Sequence, residues 1–232
     1  MKPQVVLSNV SLMRAQQSVL EQINLQLSER RIGIIGYNGS GKSSILRLLC
    51  GLMQPDSGTI TVGEHCTSIG AKKLCRTIGL IFQNPDHQLI FPTVIEELSF
   101  GLRNIGYSKA EAIMASETIL ADYQRSHWRD KPVASLSEGQ KQLLCILSIL
   151  LMQPSTLLFD EPYSALDYPT RQQLAKVIAN LDQQVIMVSH EPHTFAEFER
   201  VIWLADGKVQ MDGQPTEVIR AYEANAEQRN HL

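Results

Sequence analysis

One stretch of the chain joins three glycines to a lysine and a serine, a combination that can hold phosphate groups. Residues 36–43 read Gly-Tyr-Asn-Gly-Ser-Gly-Lys-Ser and match the phosphate-binding pattern G-x-x-x-x-G-K-[ST] without a mismatch. In this pattern backbone N–H groups surround the phosphates, Lys42 reaches the β- and γ-phosphates, and the Ser43 hydroxyl can ligate Mg²⁺. The alternative is an ordinary glycine-rich turn with a surface lysine. The predicted phosphate-binding residues are Gly36, Asn38, Gly39, Ser40, Gly41, Lys42, Ser43 and Ser44.

A pair of carboxylates forms the second chemical motif. Asp160 and Glu161 directly follow the apolar run Leu157-Leu158-Phe159. Asp160 suits Mg²⁺, which prefers hard oxygen ligands and keeps part of its water shell. Glu161 suits the orientation of an attacking water, because phosphoryl transfer depends mainly on positioning and charge stabilisation. The alternative is a strand-end acid that caps the next turn, with an exposed neighbour.

The elements around these motifs predict an α/β fold with a doubly wound core. Ile32–Ile35 is an apolar run before the glycine-rich segment and predicts a buried strand. Residues 44–49 follow that segment and have apolar residues at helical spacing. Residues 157–159 and 185–188 are continuous apolar runs, as expected for parallel strands covered on both faces. Thr170–Leu181 reads as a helix between them. The carboxyl ends of parallel strands meet at one edge of a sheet, where we expect the phosphate loop and the acids.

Other patterns predict the peripheral parts. A helical lobe begins near Asn84, contains a capping box at Ser108 and Glu111, and extends as an insertion to about residue 150. Asp206-Gly207 predicts a hairpin with a type I′ turn, and Pro215 opens a last helix with a frayed tail from Ala226. The whole chain, residues 1–232, is predicted to be one domain. Antiparallel strands are predicted at Val5–Leu7, Val19–Leu27 and Thr59–Val62.

Composition excludes several classes of protein. The net charge is -3 and there is no basic tail, so nothing predicts a nucleic-acid partner. The four cysteines form no C-x-x-C pair and lie in or near apolar stretches, which predicts buried thiols. The most apolar segment, Leu143–Met152, is much shorter than the ~20 residues of a membrane span. We expect a protein that is soluble when isolated and that can dock on a membrane partner.

Further motifs resemble those of ATP-binding-cassette (ABC) ATPases. Leu136-Ser137-Glu138-Gly139-Gln140 is similar to the family's LSGGQ signature, with Glu138 in place of a glycine. Gln83 matches the Q-loop glutamine, residues 164–167 (Ser-Ala-Leu-Asp) match the D-loop, and His190 matches the switch histidine. The resemblance covers nearly the whole chain. It implies a P-loop NTPase fold in which a RecA-like core carries an antiparallel β subdomain and a helical subdomain.

The resemblance also implies roles. Glu161, His190 and Lys42 would be catalytic, and Ser43, Gln83 and Asp160 would hold Mg²⁺ beside ATP. The signature residues Ser137, Gly139 and Gln140 would bind the ATP of a second ATPase subunit, because they lie too far from the phosphate loop of their own subunit. Two subunits, identical or close paralogues, would pair head to tail. The Glu138 side chain would have to point away from the nucleotide, since it carries the same charge as phosphate.

The segment after Gln83 resembles one branch of the family. Residues 83–94 (Gln-Asn-Pro-Asp-His-Gln-Leu-Ile-Phe-Pro-Thr-Val) are similar to those of energy-coupling-factor transporter ATPases. The resemblance implies a transmembrane coupling protein, which would contact Asp86, Gln88, Leu89 and Phe91, and a separate substrate-binding membrane protein. The ATPase would then lie peripherally on the cytoplasmic face of the cell membrane.

Residues 29–36 and the Glu138 variant look more like the biotin-type ATPases of that branch. The cobalt/nickel type remains open, and so does a soluble ABC ATPase such as an iron–sulfur assembly factor. A chromosome or repair ATPase is disfavoured, because no heptads separate Ser43 from Leu136.

The resemblance fails at one position. The family normally stacks an aromatic residue on adenine about two dozen residues before the phosphate loop, and this chain has Leu12-Met13-Arg14-Ala15 there. We expect Arg14 or Met13 to cover the base instead, with modest base selectivity.

Overall fold

The computed structural model describes residues 5–229, which form two compact units. The first comprises residues 5–80, 155–161 and 183–229, and the second comprises residues 81–154 and 162–182. The assignment of residues 1–232 to one domain with an inserted helical subdomain stays a prediction.

The strands are β1 (Val5–Arg14), β2 (Gln17–Leu27), β3 (Arg31–Ile35), β4 (Ser57–Val62), β5 (His65–Cys66), β6 (Ile78–Ile81), β7 (Thr156–Asp160), β8 (Gln184–Ser189), β9 (Arg200–Ala205) and β10 (Lys208–Gly213). The helices are α1 (Lys42–Leu49), α2 (Ala71–Leu74), α3 (Val94–Asn104), α4 (Lys109–Asp122), α5 (Glu138–Leu150), α6 (Tyr168–Ala179) and α7 (Pro215–Arg229).

A six-stranded sheet, ordered β10-β9-β3-β8-β7-β6, confirms the α/β class. Strands β3, β7 and β8 are parallel and buried along their whole length, as their unbroken apolar runs predict. Ile35 is the register partner of Ser189, and Asp160 is the partner of Val188. The three strands therefore end together, and the residues that follow them emerge at one edge of the sheet.

A four-stranded antiparallel sheet, ordered β2-β1-β4-β5, packs its buried face into the same hydrophobic core. Strand β1 continues to Arg14, so the predicted end at Leu7 is wrong. The register shifts after Leu7, and Asn9 has a φ of 50°. This irregularity breaks the alternation of apolar and polar residues that would have marked the rest of the strand.

The second unit is helical and has its own core around the fully buried Trp128 and Leu144. The predicted capping box of α4 is confirmed: the Ser108 hydroxyl accepts from the Glu111 N–H, and the Glu111 carboxylate accepts from the Ser108 N–H. Helix α6 begins at Tyr168, two residues before the predicted start, because Asp167 caps it by accepting from the Thr170 N–H.

The carboxyl-terminal part of the chain follows its turn signals. Asp206 and Gly207 both have positive φ, 48° and 72°, as a type I′ hairpin turn requires. Helix α7 opens at Pro215 but continues through Arg229, so the predicted fraying from Ala226 is wrong as far as the described residues reach. Residues 230–232 of the predicted tail lie outside the described residues.

The prediction of buried thiols holds for only half of the cysteines. Cys50 and Cys145 are buried, whereas Cys66 and Cys75 are partly exposed. These two thiols lie at the end of β5 and directly after α2, in the largely polar segment of residues 63–76.

Candidate active site

The phosphate loop joins β3 to α1 and has glycine at positions that a larger residue could not occupy. Gly41 caps α1 with a φ of 98°, in the left-handed region that favours glycine. A Cβ at Gly36 would lie 2.2 Å from the backbone carbonyl oxygen of Leu204 on β9. The loop therefore lies close against the sheet, and the first N–H groups of α1 are directed into it.

The Lys42 side chain is folded over its own loop. Its Nζ donates hydrogen bonds to the carbonyl oxygens of Gly36 (2.7 Å) and Tyr37 (3.0 Å), and the side chain is only 6% exposed. The Ser40 hydroxyl is also buried, and it has no hydrogen-bond partner among the described residues. A buried hydroxyl without a partner is costly unless a ligand satisfies it, so the loop fits an entering phosphate.

Ser43 and Asp160 meet beside the loop. The Ser43 hydroxyl donates a hydrogen bond of 2.9 Å to Asp160 Oδ1. Both side chains supply hard oxygen atoms, which are the ligands that Mg²⁺ takes in proteins. The pair therefore fits a magnesium ion that would lie next to the phosphates.

Glu161 lies where β7 ends, and its backbone is unusual. Its φ is 46°, a left-handed conformation that costs a non-glycine residue roughly 1–2 kcal/mol. Its N–H still donates to the Val188 carbonyl, so the turn remains attached to β8. The carboxylate has one oxygen 2.9 Å from His190 Nδ1 and the other 4.0 Å from Lys42 Nζ. Strain of this kind concentrates at functional sites, and here it directs the carboxylate toward the phosphate loop.

Burial shifts the charge equilibria of two of these groups. It lowers the pKa of Lys42, and the nearby carboxylates of Glu161 and Asp160 only partly oppose that shift. It raises the pKa of Asp160, although the hydrogen bond from Ser43 acts in the opposite direction. Perturbed groups gathered at one sheet edge are typical of a reaction site.

The signature residues lie in the helical unit, at the amino-terminal end of α5. Ser137 caps this helix in a reciprocal box: its hydroxyl accepts from the Gln140 N–H, and the Gln140 side chain accepts from the Ser137 N–H. Glu138 is turned toward Lys141, 3.5 Å away. The exposed helix end thus presents its N–H groups and positive dipole to solvent.

Gly139 lies in close contact with helix α6. A Cβ at this position would lie 2.0 Å from Thr170 Cγ2 on α6. Gln83 also lies in the helical unit, where its side-chain amide donates to the Ser164 hydroxyl at 3.2 Å. The Q-loop and D-loop residues of this unit are therefore in direct contact.

Arg14, the predicted adenine contact, is exposed at the tip of the β1–β2 hairpin. Ala15 and Gln16 turn the hairpin with positive φ, and the Met13 N–H is fixed by Asp56 Oδ2 at 2.6 Å. The structure brings Lys42, Ser43, Asp160, Glu161 and His190 together, whereas Arg14 lies at the hairpin tip. Its role stays a prediction.

Comparison with known proteins decides the family. The sequence profile described as "ABC transporter" matches residues 20–164. The chain belongs to this ABC transporter family. The biotin transport ATP-binding protein BioM of Rhodobacter capsulatus is 44% identical over 216 residues, which cover 93% of this chain and 92% of the relative.

Two further ABC proteins resemble the chain. An energy-coupling factor transporter ATP-binding protein of Caldanaerobacter subterraneus is 37% identical, covering 88% of this chain and 76% of the relative. The solved structure of CbiO1 from Clostridium perfringens, described as part of the ABC transporter complex CbiONQ, has a TM-score of 0.81 and 27% identity. That match covers 98% of this chain and 95% of the other. These likenesses confirm the predicted ABC ATPase fold and an ATP-binding ATPase subunit.

Within residues 5–229, the ABC chain contains no helix with the length and apolar character needed to span a bilayer. Sequence reasoning missed two groups of contacts around its motifs. One is an aromatic stack between Tyr37 of the phosphate loop and Tyr222 of α7. The other is the attachment of α5 to the Q-loop segment, where Gln142 donates to the Phe82 carbonyl and Lys141 pairs with Asp86. Both involve residues far apart in sequence, so no local pattern indicated them.

Proposed function

We propose that this chain is the ATP-hydrolysing subunit of an energy-coupling-factor importer that drives vitamin uptake, with biotin as the solute. The convergence of Lys42, Asp160, Glu161 and His190 at one sheet edge carries the hydrolytic part of the proposal. The near full-length likeness to a biotin transport ATP-binding protein supports the transport part.

Each residue of the site has a task in hydrolysis. The phosphate loop, from Gly36 to Ser44, holds the triphosphate through its N–H groups, and Lys42 exchanges its carbonyl partners for the β- and γ-phosphates. Ser43 and Asp160, with Gln83, would hold Mg²⁺, which would supply charge neutralisation on the phosphate oxygens. Glu161 orients the attacking water and accepts its proton. The water oxygen bonds to the γ-phosphorus as the bond to the β–γ bridging oxygen breaks, which yields ADP and phosphate.

His190 positions the Glu161 carboxylate. Its Nδ1 is 2.9 Å from that carboxylate, and 45% of its side chain is exposed. The imidazole can therefore contact the γ-phosphate through its other ring nitrogen while Nδ1 keeps its contact with the glutamate.

A second ATPase subunit, identical or paralogous, completes each site. Ser137, Gly139 and Gln140 form an exposed helix start that can hold the γ-phosphate of the other subunit's ATP. Binding of ATP would then join two subunits, and hydrolysis would release them. This cycle supplies the motion that transport requires.

The helical unit offers a surface for the membrane partner. A cavity of about 570 Å³ is lined by three aromatic side chains together with cationic and amide groups: Phe91, Phe100, Arg103, Asn104, Tyr107 and Lys109. Of the four residues predicted to contact the coupling protein, Phe91 lines this cavity. Leu89 packs against the helical core, Gln88 accepts from the Phe82 N–H, and Asp86 pairs with Lys141. The transmembrane coupling protein occupies this cavity from the cytoplasmic face, and a separate membrane protein binds the solute.

The test is uptake of labelled solute by cells that lack the gene for this chain. We expect the wild-type gene to restore uptake of labelled biotin, and the Glu161→Gln gene to express but not restore it. Restored cobalt or nickel uptake would instead support the metal-type importer, which is the second candidate. Recovery of the tagged chain in the soluble fraction alone, with unchanged biotin uptake, would overturn a transport function.

A further inference from the structure

The phosphate loop is attached to the last helix of the chain through aromatic rings. Tyr37, the second residue of the loop, stacks on Tyr222 of α7 with ring centroids 5.0 Å apart and an interplanar angle of 30°. The Tyr37 hydroxyl donates to Asn225 Oδ1, one helical turn further along, at 3.2 Å. The loop thus has an apolar and a polar contact on α7.

The stack continues to the strand that supports the loop. Tyr222 is only 6% exposed and meets the Trp203 ring edge-on, with centroids 5.7 Å apart. Trp203 lies on β9 and is the register partner of Ile35, the last residue before the loop. The aromatic contacts therefore connect the start of the phosphate loop to α7 and, through Tyr222, to β9.

The Tyr37 backbone explains why this attachment matters for nucleotide. Its carbonyl oxygen accepts hydrogen bonds from the Ser40 N–H at 3.1 Å and from Lys42 Nζ at 3.0 Å. The ring that stacks on Tyr222 and the carbonyl that accepts from Lys42 both belong to Tyr37. A shift of the Tyr37 ring therefore moves the group that orients Lys42. Helix α7 also packs on the turn at Pro192–Phe195, just after His190.

We propose that Tyr37 and Tyr222 are positioning residues that attach the phosphate loop to α7, so that α7 sets how tightly the loop holds nucleotide. The inference rests on the proposed nucleotide site at the loop. It assigns to α7 a role in ATP binding that does not depend on direct contact between α7 and ATP. It also makes Trp203 a reporter of loop occupancy, because its ring contacts the middle member of the stack.

The test compares variants of the full-length protein. Tyr222→Leu and Tyr37→Leu each remove one ring of the stack, and the double variant removes both. We expect each single change to raise the KM for ATP and the Kd for ADP about two- to ten-fold, the range that an aromatic pair contributes, with a smaller change in kcat. The double variant should resemble the singles, because both changes break the same contact. Tyr37→Phe keeps the ring and should shift these values less.

Phe198→Leu is the matched control. It removes one ring of a different aromatic pair in the same unit, Phe195–Phe198, with centroids 5.1 Å apart. We expect its KM and Kd to stay within about two-fold of wild type, as for a change outside the site. A merely structural role for Tyr222 would lower the thermal midpoint and kcat while leaving KM and Kd unchanged.

Fluorescence provides a second readout. With Trp128 of the helical core replaced by phenylalanine, Trp203 is the remaining tryptophan, and we expect ADP to change its emission. The change should disappear with Tyr37→Leu, at ADP concentrations that still saturate that variant. This readout decides the matter if Tyr222→Leu does not fold.

The outcomes separate the inference from the site on which it rests. ADP that binds equally well to Lys42→Ala would overturn the proposed site. Binding that depends on Lys42 but is unchanged in folded Tyr222→Leu would overturn only the role of α7. A Trp203 signal that persists in saturated Tyr37→Leu would do the same.

Discussion

At the scale of single residues, the chemistry depends on one carboxylate held in a costly conformation. Glu161 adopts a φ of 46° and directs one oxygen to His190 and the other toward Lys42. Glu161→Gln has the same shape and can keep the contact with His190, but an amide cannot accept the proton of the attacking water. We expect ATP binding and dimer formation to persist while phosphate release slows by at least ~100-fold.

The matched control for Glu161→Gln is the same change at Glu197, an exposed acid of the same unit. Its rate of phosphate release should equal that of the wild type. Near-normal turnover by Glu161→Gln would contradict the role given to this residue.

The adenine contact is a separate question at the same scale. Met13 is 47% exposed, and it and Arg14 end β1 at a hairpin tip without an aromatic ring. An aromatic stack on a base is worth about 1–3 kcal/mol in nucleic-acid sites, so its absence should leave ATP, GTP and ITP with affinities of the same order. Competition binding measures this directly. Strong preference for ATP that is lost in Met13→Ala or Arg14→Ala, but kept in Gln17→Ala, would show that the prediction is wrong.

At the scale of elements, the close approach of α5 and α6 gives Gly139 a second role. A Cβ there would lie 2.0 Å from Thr170 Cγ2, so Gly139→Ala forces the two helix starts apart. Overpacking costs about 1–3 kcal/mol, which exceeds the ~1 kcal/mol at most that alanine gains over glycine in a helix. We expect a lower free energy of unfolding in urea.

Thr170→Ser, which lacks the clashing methyl group, provides the rescue for Gly139→Ala. The double variant should recover most of the lost stability, while Thr170→Ser alone changes little. A Gly139→Ala protein as stable as wild type would show that the helices can separate without cost.

The elements also show what the sequence can and cannot predict. Strands β3, β7 and β8 are apolar throughout because both of their faces are buried, so the sheet edge that gathers Lys42, Asp160 and His190 was predictable. The end of β1 was not, because the irregularity at Asn9 hides its alternation. The stack of Tyr37 on Tyr222 was not predictable either, since no local pattern encodes a contact between residues so distant in sequence.

At the scale of the whole molecule, the proposed head-to-tail dimer makes every site a product of two chains. Lys42→Ala damages the phosphate-loop half of a site, and Ser137→Arg places bulk and charge at the signature half. Each variant alone should be inactive, because both of its sites contain the damaged half. A mixed dimer, however, contains one site with both halves intact and one site with both halves damaged. Equal mixing should therefore restore about a quarter of the wild-type hydrolysis rate if dimers form at random and sites act independently.

Mixing Lys42→Ala with Glu161→Gln is the control, since both changes damage the same half and no intact site can form. We expect recovery in the first mixture but not in the second. Equal inactivity of both mixtures would argue either that each chain hydrolyses ATP with its own residues alone or that a dimer needs two intact sites.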